Sequence, residues 1–367
     1  MRIGRIFGID IVIHVSWVFV FALVAWSLSS GIGPLNLQSL PVSLRVAIGI
    51  LTAILFFTSV LIHELAHSVV ARSRGIPIKG ITLFIFGGVS MFEGEARTAP
   101  IEAWVSAVGP LTSIALGVVF YVLARAASAI SAGSISTGIA AALLYLAAVN
   151  VLLAVFNLLP AFPLDGGRVL HALIWRISGD RLRATRVTVV IGRVFAAGMI
   201  VWGILDSLFE GIGGGLWLTL IGWFILQAGN VEGLQAEITA VLRGRKAADV
   251  AAIPPATVLA DESAAAALRK LLGVEADALP VFVGERFIGM ISLNALAALP
   301  SEELPKTYVT AVMTRAEDLE TIAPGTDAME ALRTLARSKR SALPVIDTDG
   351  RFCGFFSRDA LVRLIPH

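Results

Sequence analysis

The first 231 residues are dominated by long apolar runs. A helix needs about 20 apolar residues to cross the hydrocarbon core of a bilayer. Six stretches approach or reach that length: Val12–Leu28, Val46–Val70, Ala103–Leu123, Ile139–Leu159, Val187–Leu205 and roughly Gly211–Gln227. They predict six membrane-spanning helices, the sixth with a glycine-rich start. Between the second and third, Ile81-Thr82-Leu83-Phe84-Ile85-Phe86 has strand character and ends on Gly87-Gly88, a turn signal. The segment 76–92 therefore reads as a hairpin, either an edge for an extended partner or a plug for a cavity.

Beyond about Val231 charges return at ordinary density and apolar positions become periodic. This predicts a membrane domain over 1–231, a linker over 232–245 and a soluble domain over 246–367. The soluble part repeats itself. Ala278-Leu279-Pro280-Val281 recurs as Ala342-Leu343-Pro344-Val345, and Gly289-x-x-Ser292-x-x-Ala295-Leu296 recurs as Gly354-x-x-Ser357-x-x-Ala360-Leu361. Each copy, about 246–300 and 308–365, reads helix, strand, strand, helix. The fold class is a multi-pass α-helical membrane protein with a C-terminal α/β domain.

Composition sharpens this. Hydrophobic residues make up 56% and charged residues 15% of the chain, too apolar for a soluble enzyme. A net charge of +2 gives no reason to expect nucleic acid. The single cysteine, Cys353, excludes an internal disulfide and fits a reducing compartment. The first apolar run lacks a small-residue cleavage site and reads as a retained span. Lys and Arg set orientation: Arg2 and Arg5 precede the first span, Arg72, Arg74 and Lys79 follow the second, five arginines from Arg168 to Arg186 follow the fourth, and Arg243, Arg245 and Lys246 follow the sixth. Both termini are expected in the cytosol. Arg193, within the fifth span, lies close enough to that side to snorkel.

The chemistry is concentrated in two places. The second span holds His63-Glu64-Leu65-Ala66-His67. Residues i and i+4 share a helix face, so the imidazoles can hold one metal ion, with Glu64 placed to act as a base. Ionisable groups in a membrane helix are costly without a purpose. A catalytic site needs a third protein ligand and an open position. By orientation that ligand should come from the inner end of the fourth span, where Asn157-Leu158-Leu159-Pro160-Ala161-Phe162-Pro163-Leu164-Asp165-Gly166-Gly167 breaks the helix. Asp165 is the expected ligand; its alternative is a simple Asp-Gly turn. His171 competes but follows Arg168 into a basic segment and reads as interfacial. His14 reads as a hydrogen-bonded packing residue and His367 as solvated.

These motifs, with Phe86-Gly87-Gly88-Val89 and Gly109-Pro110-Leu111, resemble the site-2 protease family of intramembrane metalloproteases, in the subgroup with a cytosolic pair of CBS (cystathionine β-synthase) repeats. The resemblance implies one Zn²⁺ per chain on His63, His67 and Asp165, Glu64 as catalytic base and Asn157 as the oxyanion residue. It implies a single-pass membrane protein as substrate, such as an anti-sigma factor already trimmed by another protease. Ser113 departs from the family's usual asparagine, a difference assigned to packing of the third span. CBS pairs often bind adenine nucleotides through an Asp that grips the ribose. Ala295 and Ala360 stand at that position here, with Asp359 out of register, so a homodimerisation or gating role competes with nucleotide binding. The competing reading of the whole chain is a CBS-regulated transporter or channel using His63, Glu64, His67 and Asp165 as an ion path. The spans show no internal repeat to support it.

Overall fold

The computed structural model describes residues 2–30, 35, 37–84, 87–92, 94, 96–130, 133–209, 212–274, 276–338, 340–357, 360–361 and 364. Phe86, Gly211, Asp359 and His367 lie outside them. The chain divides into two compact units, Met1–Gly233 and Leu234–His367.

The first unit opens with the hairpin β1 (Arg2–Ile6) and β2 (Ile9–Ile13), followed by α1 (Val15–Ser29) and α2 (Val42–Ser73). Next come β3 (Ile78–Phe84), β4 (Gly87–Phe92), α3 (Ala99–Ile130), α4 (Ser134–Asn157), α5 (Asp165–Ser178), α6 (Arg181–Phe209) and α7 (Ile212–Leu242). Five helices, α2, α3, α4, α6 and α7, are long and apolar enough to cross a membrane. The expectation of six differs at the first. At 15 residues, α1 spans about 22 Å, short of a core about 30 Å thick. Ile9-Asp10-Ile11-Val12-Ile13 is a β-branched run that takes the start of the expected span as a strand, paired in parallel with β3 from Asp10↔Gly80 to Ile13↔Leu83. His14 then caps α1, its ring nitrogen accepting from the Ser16 amide at 3.3 Å.

The strand order is β1-β2-β3-β4. Within the 76–92 hairpin β3 is interior, held by β2 on one side and β4 on the other, and β4 is an edge strand of the sheet, as β1 is on the opposite side. Arg193 on α6 donates to Asn230 Oδ1 on α7 at 2.8 Å, a polar link between two apolar helices.

The second unit contains α8 (Ala247–Val250), β5 (Val258–Leu259), α9 (Ala264–Gly273), β6 (Ala278–Val283), β7 (Arg286–Ser292), α10 (Leu293–Ala297), α11 (Val309–Val312), β8 (Thr314–Arg315), α12 (Ala328–Ser338), β9 (Ala342–Ile346) and β10 (Phe352–Ser357). The repeated serines explain the repeated motif. Ser292 Oγ accepts from the Ala295 amide at 3.3 Å as the N-cap of α10, and Ser357 Oγ makes the equivalent contact to the Ala360 amide at 3.1 Å at its strand's end. Equivalent residues meet at the seam between the repeats: Phe287 and Phe352 stack at 5.0 Å, in one cluster with Ala278, Met290, Ala342 and Phe355. That symmetry is the physical content of the sequence repeat.

Candidate metal centre

Three helix segments build the centre. α2 supplies His63 and His67, one turn apart on one face and both buried. Asp165 is the first residue of α5, where the helix dipole favours a negative charge. The turn from Leu158 to Leu164 carries Asp165 back toward α2. It packs closely on the start of α5 because Gly166 and Gly167 have no Cβ: one on Gly166 would strike the Leu158 and Leu159 carbonyls, and one on Gly167 the Ala161 backbone.

His63 Nε2 lies 3.1 Å from His67 Nε2. Asp165 Oδ2 lies 3.3 Å from His63 Nε2 and 3.2 Å from His67 Nε2. These three side chains form the one cluster of potential metal ligands among the described residues. Tetrahedral zinc holds nitrogen and oxygen at about 2.0–2.1 Å, which sets neighbouring ligand atoms about 3.3 Å apart. The triangle has the edge lengths zinc requires and leaves a fourth corner open. The residues present fit the ion.

α3 fixes the histidines from behind. His63 Nδ1 meets Ser113 Oγ at 2.9 Å, and His67 Nδ1 meets the Val105 carbonyl at 2.7 Å. A carbonyl only accepts, so His67 carries its hydrogen on Nδ1 and turns a bare Nε2 to the centre. Between these contacts Gly109 presents backbone. A Cβ there would collide with His67 Nε2 and stand 2.8 Å from His63 Nε2. Pro110 cannot donate to the Ser106 carbonyl, which loosens the helix at this turn.

Glu64, beside His63 on α2, makes its contacts with β4. Its Oε2 accepts from Ser90 Oγ at 2.8 Å, Ser90 Oγ lies 3.1 Å from Ser68 Oγ, and Gly88 leaves room that a Cβ would take from the carboxylate. Asn157 is the last residue of α4, and its amide donates to Leu153 O at 2.9 Å. His171 is 3% exposed and lies 3.0 Å from Glu102 Oε1, so it is a buried residue with a partner of its own, apart from the triangle. Ser113, read as packing, is a partner of His63. Its signal was spacing, since Glu102, Val105, Gly109 and Ser113 recur at intervals of three and four on one face of α3.

Residues 51–201 match the family described as Peptidase family M50, and residues 247–302 and 309–367 each match the CBS domain. The chain therefore carries an M50 domain, that of the site-2 proteases, followed by a CBS pair. It is 37% identical to Rip3 of Mycobacterium tuberculosis over 70% of its own length and 64% of Rip3, so it spans less than two-thirds of that relative. It is 29% identical to sll0528 of Synechocystis over 100% of this chain and 95% of the other; both relatives carry provisional names as zinc metalloproteases. Among solved structures it is similar to the site-2 protease from Methanocaldococcus jannaschii, at 28% identity and a TM-score of 0.43, over 64% of this chain and 94% of that one.

Proposed function

We propose that this chain is a zinc endopeptidase that cuts single-pass membrane proteins within or beside their spans. The observation that carries the reading is the triangle of His63, His67 and Asp165, with Glu64 one residue from a ligand on the same helix. A zinc ion held there would polarise the scissile carbonyl and lower the pKa of a water at the open corner. Glu64 takes the proton from the attacking water and delivers it to the leaving nitrogen as the C–N bond breaks. The Leu153 carbonyl engages one hydrogen of the Asn157 amide, and the other is left to offer to the developing oxyanion. Ser90 holds the Glu64 carboxylate in place between turnovers.

A helical substrate hides its carbonyls in its own hydrogen bonds, so it must unwind before attack. β4 is an edge strand of its sheet, and its Gly88 lies against Glu64. An unwound segment added to that edge would be held extended beside the base. In the soluble unit, a cleft lined by Pro254, Asp277, Ser341, Ser357 and Ala360 is where a regulator would sit. The aromatic seam between the repeats would carry its effect from one repeat to the other.

Both termini are cytosolic by the Lys and Arg distribution, which requires an even number of crossings, so α1 together with β2 would make the sixth. A reporter inserted within residues 29–43 is expected to be labelled from outside intact cells, and one after Leu234 only after permeabilisation. Labelling of the CBS pair from outside would reverse the topology.

Outer partners of metal ligands typically contribute about 10–100-fold in metal affinity. Ser113→Ala removes the partner of His63 Nδ1, and zinc affinity is expected to fall about 10-fold in competition with a chelating dye. An unchanged affinity would return Ser113 to a packing role.

A further inference from the structure

The molecule holds a second buried ionisable cluster that the proposed chemistry does not use. Glu102, in the first turn of α3, places Oε1 3.0 Å from His171 Nδ1. On the ring's other side, Nε2 lies 3.1 Å from Thr185 Oγ1 and 3.3 Å from the Arg181 carbonyl, both on α6. The imidazole thus joins α3, α5 and α6 through its two nitrogens, and its ring packs against Phe162 at 5.8 Å. The side chains of His171 and Glu102 are 3% and 12% exposed. Glu102 Oε2 is buried without a hydrogen-bond partner. A half-satisfied carboxylate of this kind is a poor way to gain stability alone, since an apolar pair would serve as well or better.

Its place in the fold gives it another use. Asp165 begins α5, and His171 lies six residues on, about 9 Å along a stiff helix. The α3 face that engages His171 through Glu102 goes on to orient His67 through Val105, clear both imidazoles at Gly109 and hold His63 through Ser113. One helix face therefore touches every element that carries a proposed ligand, and the Glu102–His171 contact is a buried polar link from it to the Asp165 helix.

We infer that the Glu102–His171 pair is a positioning device: it locks α5 against α3 and so sets Asp165 at ligand distance from His63 and His67. The inference rests on the zinc reading of the triangle. If α5 turned or slid along α3, Asp165 would leave the triangle while both histidines stayed in register, so the loss would appear in metal affinity before anything else.

The two ring nitrogens allow a test that separates positioning from packing. In His171→Asn the amide nitrogen replaces Nδ1 and can still donate to Glu102. In His171→Gln it replaces Nε2, which keeps the α6 side and gives up Glu102. Zinc affinity of the full-length protein in detergent would be measured by chelator competition for wild type, both variants and Glu102→Gln, with thermal unfolding of the zinc-free forms recorded in parallel. Expected is a loss of about 10-fold or more in affinity for His171→Gln and Glu102→Gln, with His171→Asn within about 3-fold of wild type. Equal affinities for the Asn and Gln variants, or losses that merely follow the unfolding temperature of the zinc-free forms, would overturn the positioning role. Wild type that binds no zinc would instead defeat the metal reading of the triangle.

Discussion

Glu64→Gln is expected to abolish cleavage while leaving the metal in place. The substitution preserves size and keeps an oxygen for Ser90 Oγ, now 2.8 Å from Glu64 Oε2. It removes a carboxylate one residue from a proposed ligand on the same helix. Loss of a general base typically costs about 10²–10⁴-fold in rate. Single-turnover cleavage of a one-span membrane substrate should therefore fall to background. Zinc content, measured on the same preparation, should stay at that of wild type. If zinc is lost with activity, Glu64 is holding the site rather than acting as its base. If activity persists with zinc bound, another group takes the proton.

Gly109→Ala is the second substitution with a large expected effect. Its methyl group would occupy space now filled by His67 Nε2 and lie 2.8 Å from His63 Nε2. The obstruction is at the donor atoms themselves, so relief requires moving the imidazoles or α3. Overpacking alone costs about 1–3 kcal/mol, and here its relief displaces ligands. Zinc affinity is expected to fall by roughly 100-fold, the upper end of outer-contact effects, or further. Gly117→Ala on the same helix is the control, because its Cβ would meet the Val151 side chain at 3.0 Å and no histidine. Equal zinc affinities in the two variants would show that the approach of Gly109 to the histidines has no bearing on the metal.

These two positions show how unevenly the molecule can be read from its sequence. His63, Glu64 and His67 announce themselves because i, i+4 spacing is a property of any helix. Asp165 is reachable by matching depth, since two spans running the same way bring their inner ends level. The repeat is legible because N-cap serines and the Ala-Leu-Pro-Val strands are chemical choices that recur. Gly109 and Ser113 show in the sequence as a motif and a three- and four-residue spacing on α3, neither of which says what they touch. Val105 takes part through its carbonyl, which every residue possesses. The first apolar run divides into a strand and a 15-residue helix, because an apolar β-branched run satisfies a strand and a buried helix equally. The arginines around His171 speak only of its depth, not of its partner. Its partner Glu102 lies 69 residues away in sequence, and nothing local connects them.

The measurement that bears most directly on the account is cleavage of a single-span membrane substrate by the purified full-length protein in liposomes. It would be assayed as prepared, after removal of metal by a chelator, and after return of zinc. The account predicts a shortened product cut within or beside the span, its loss on chelation and its recovery with zinc. No cleavage of a broad panel of membrane substrates by zinc-loaded protein, together with ion flux through the same liposomes, would contradict it.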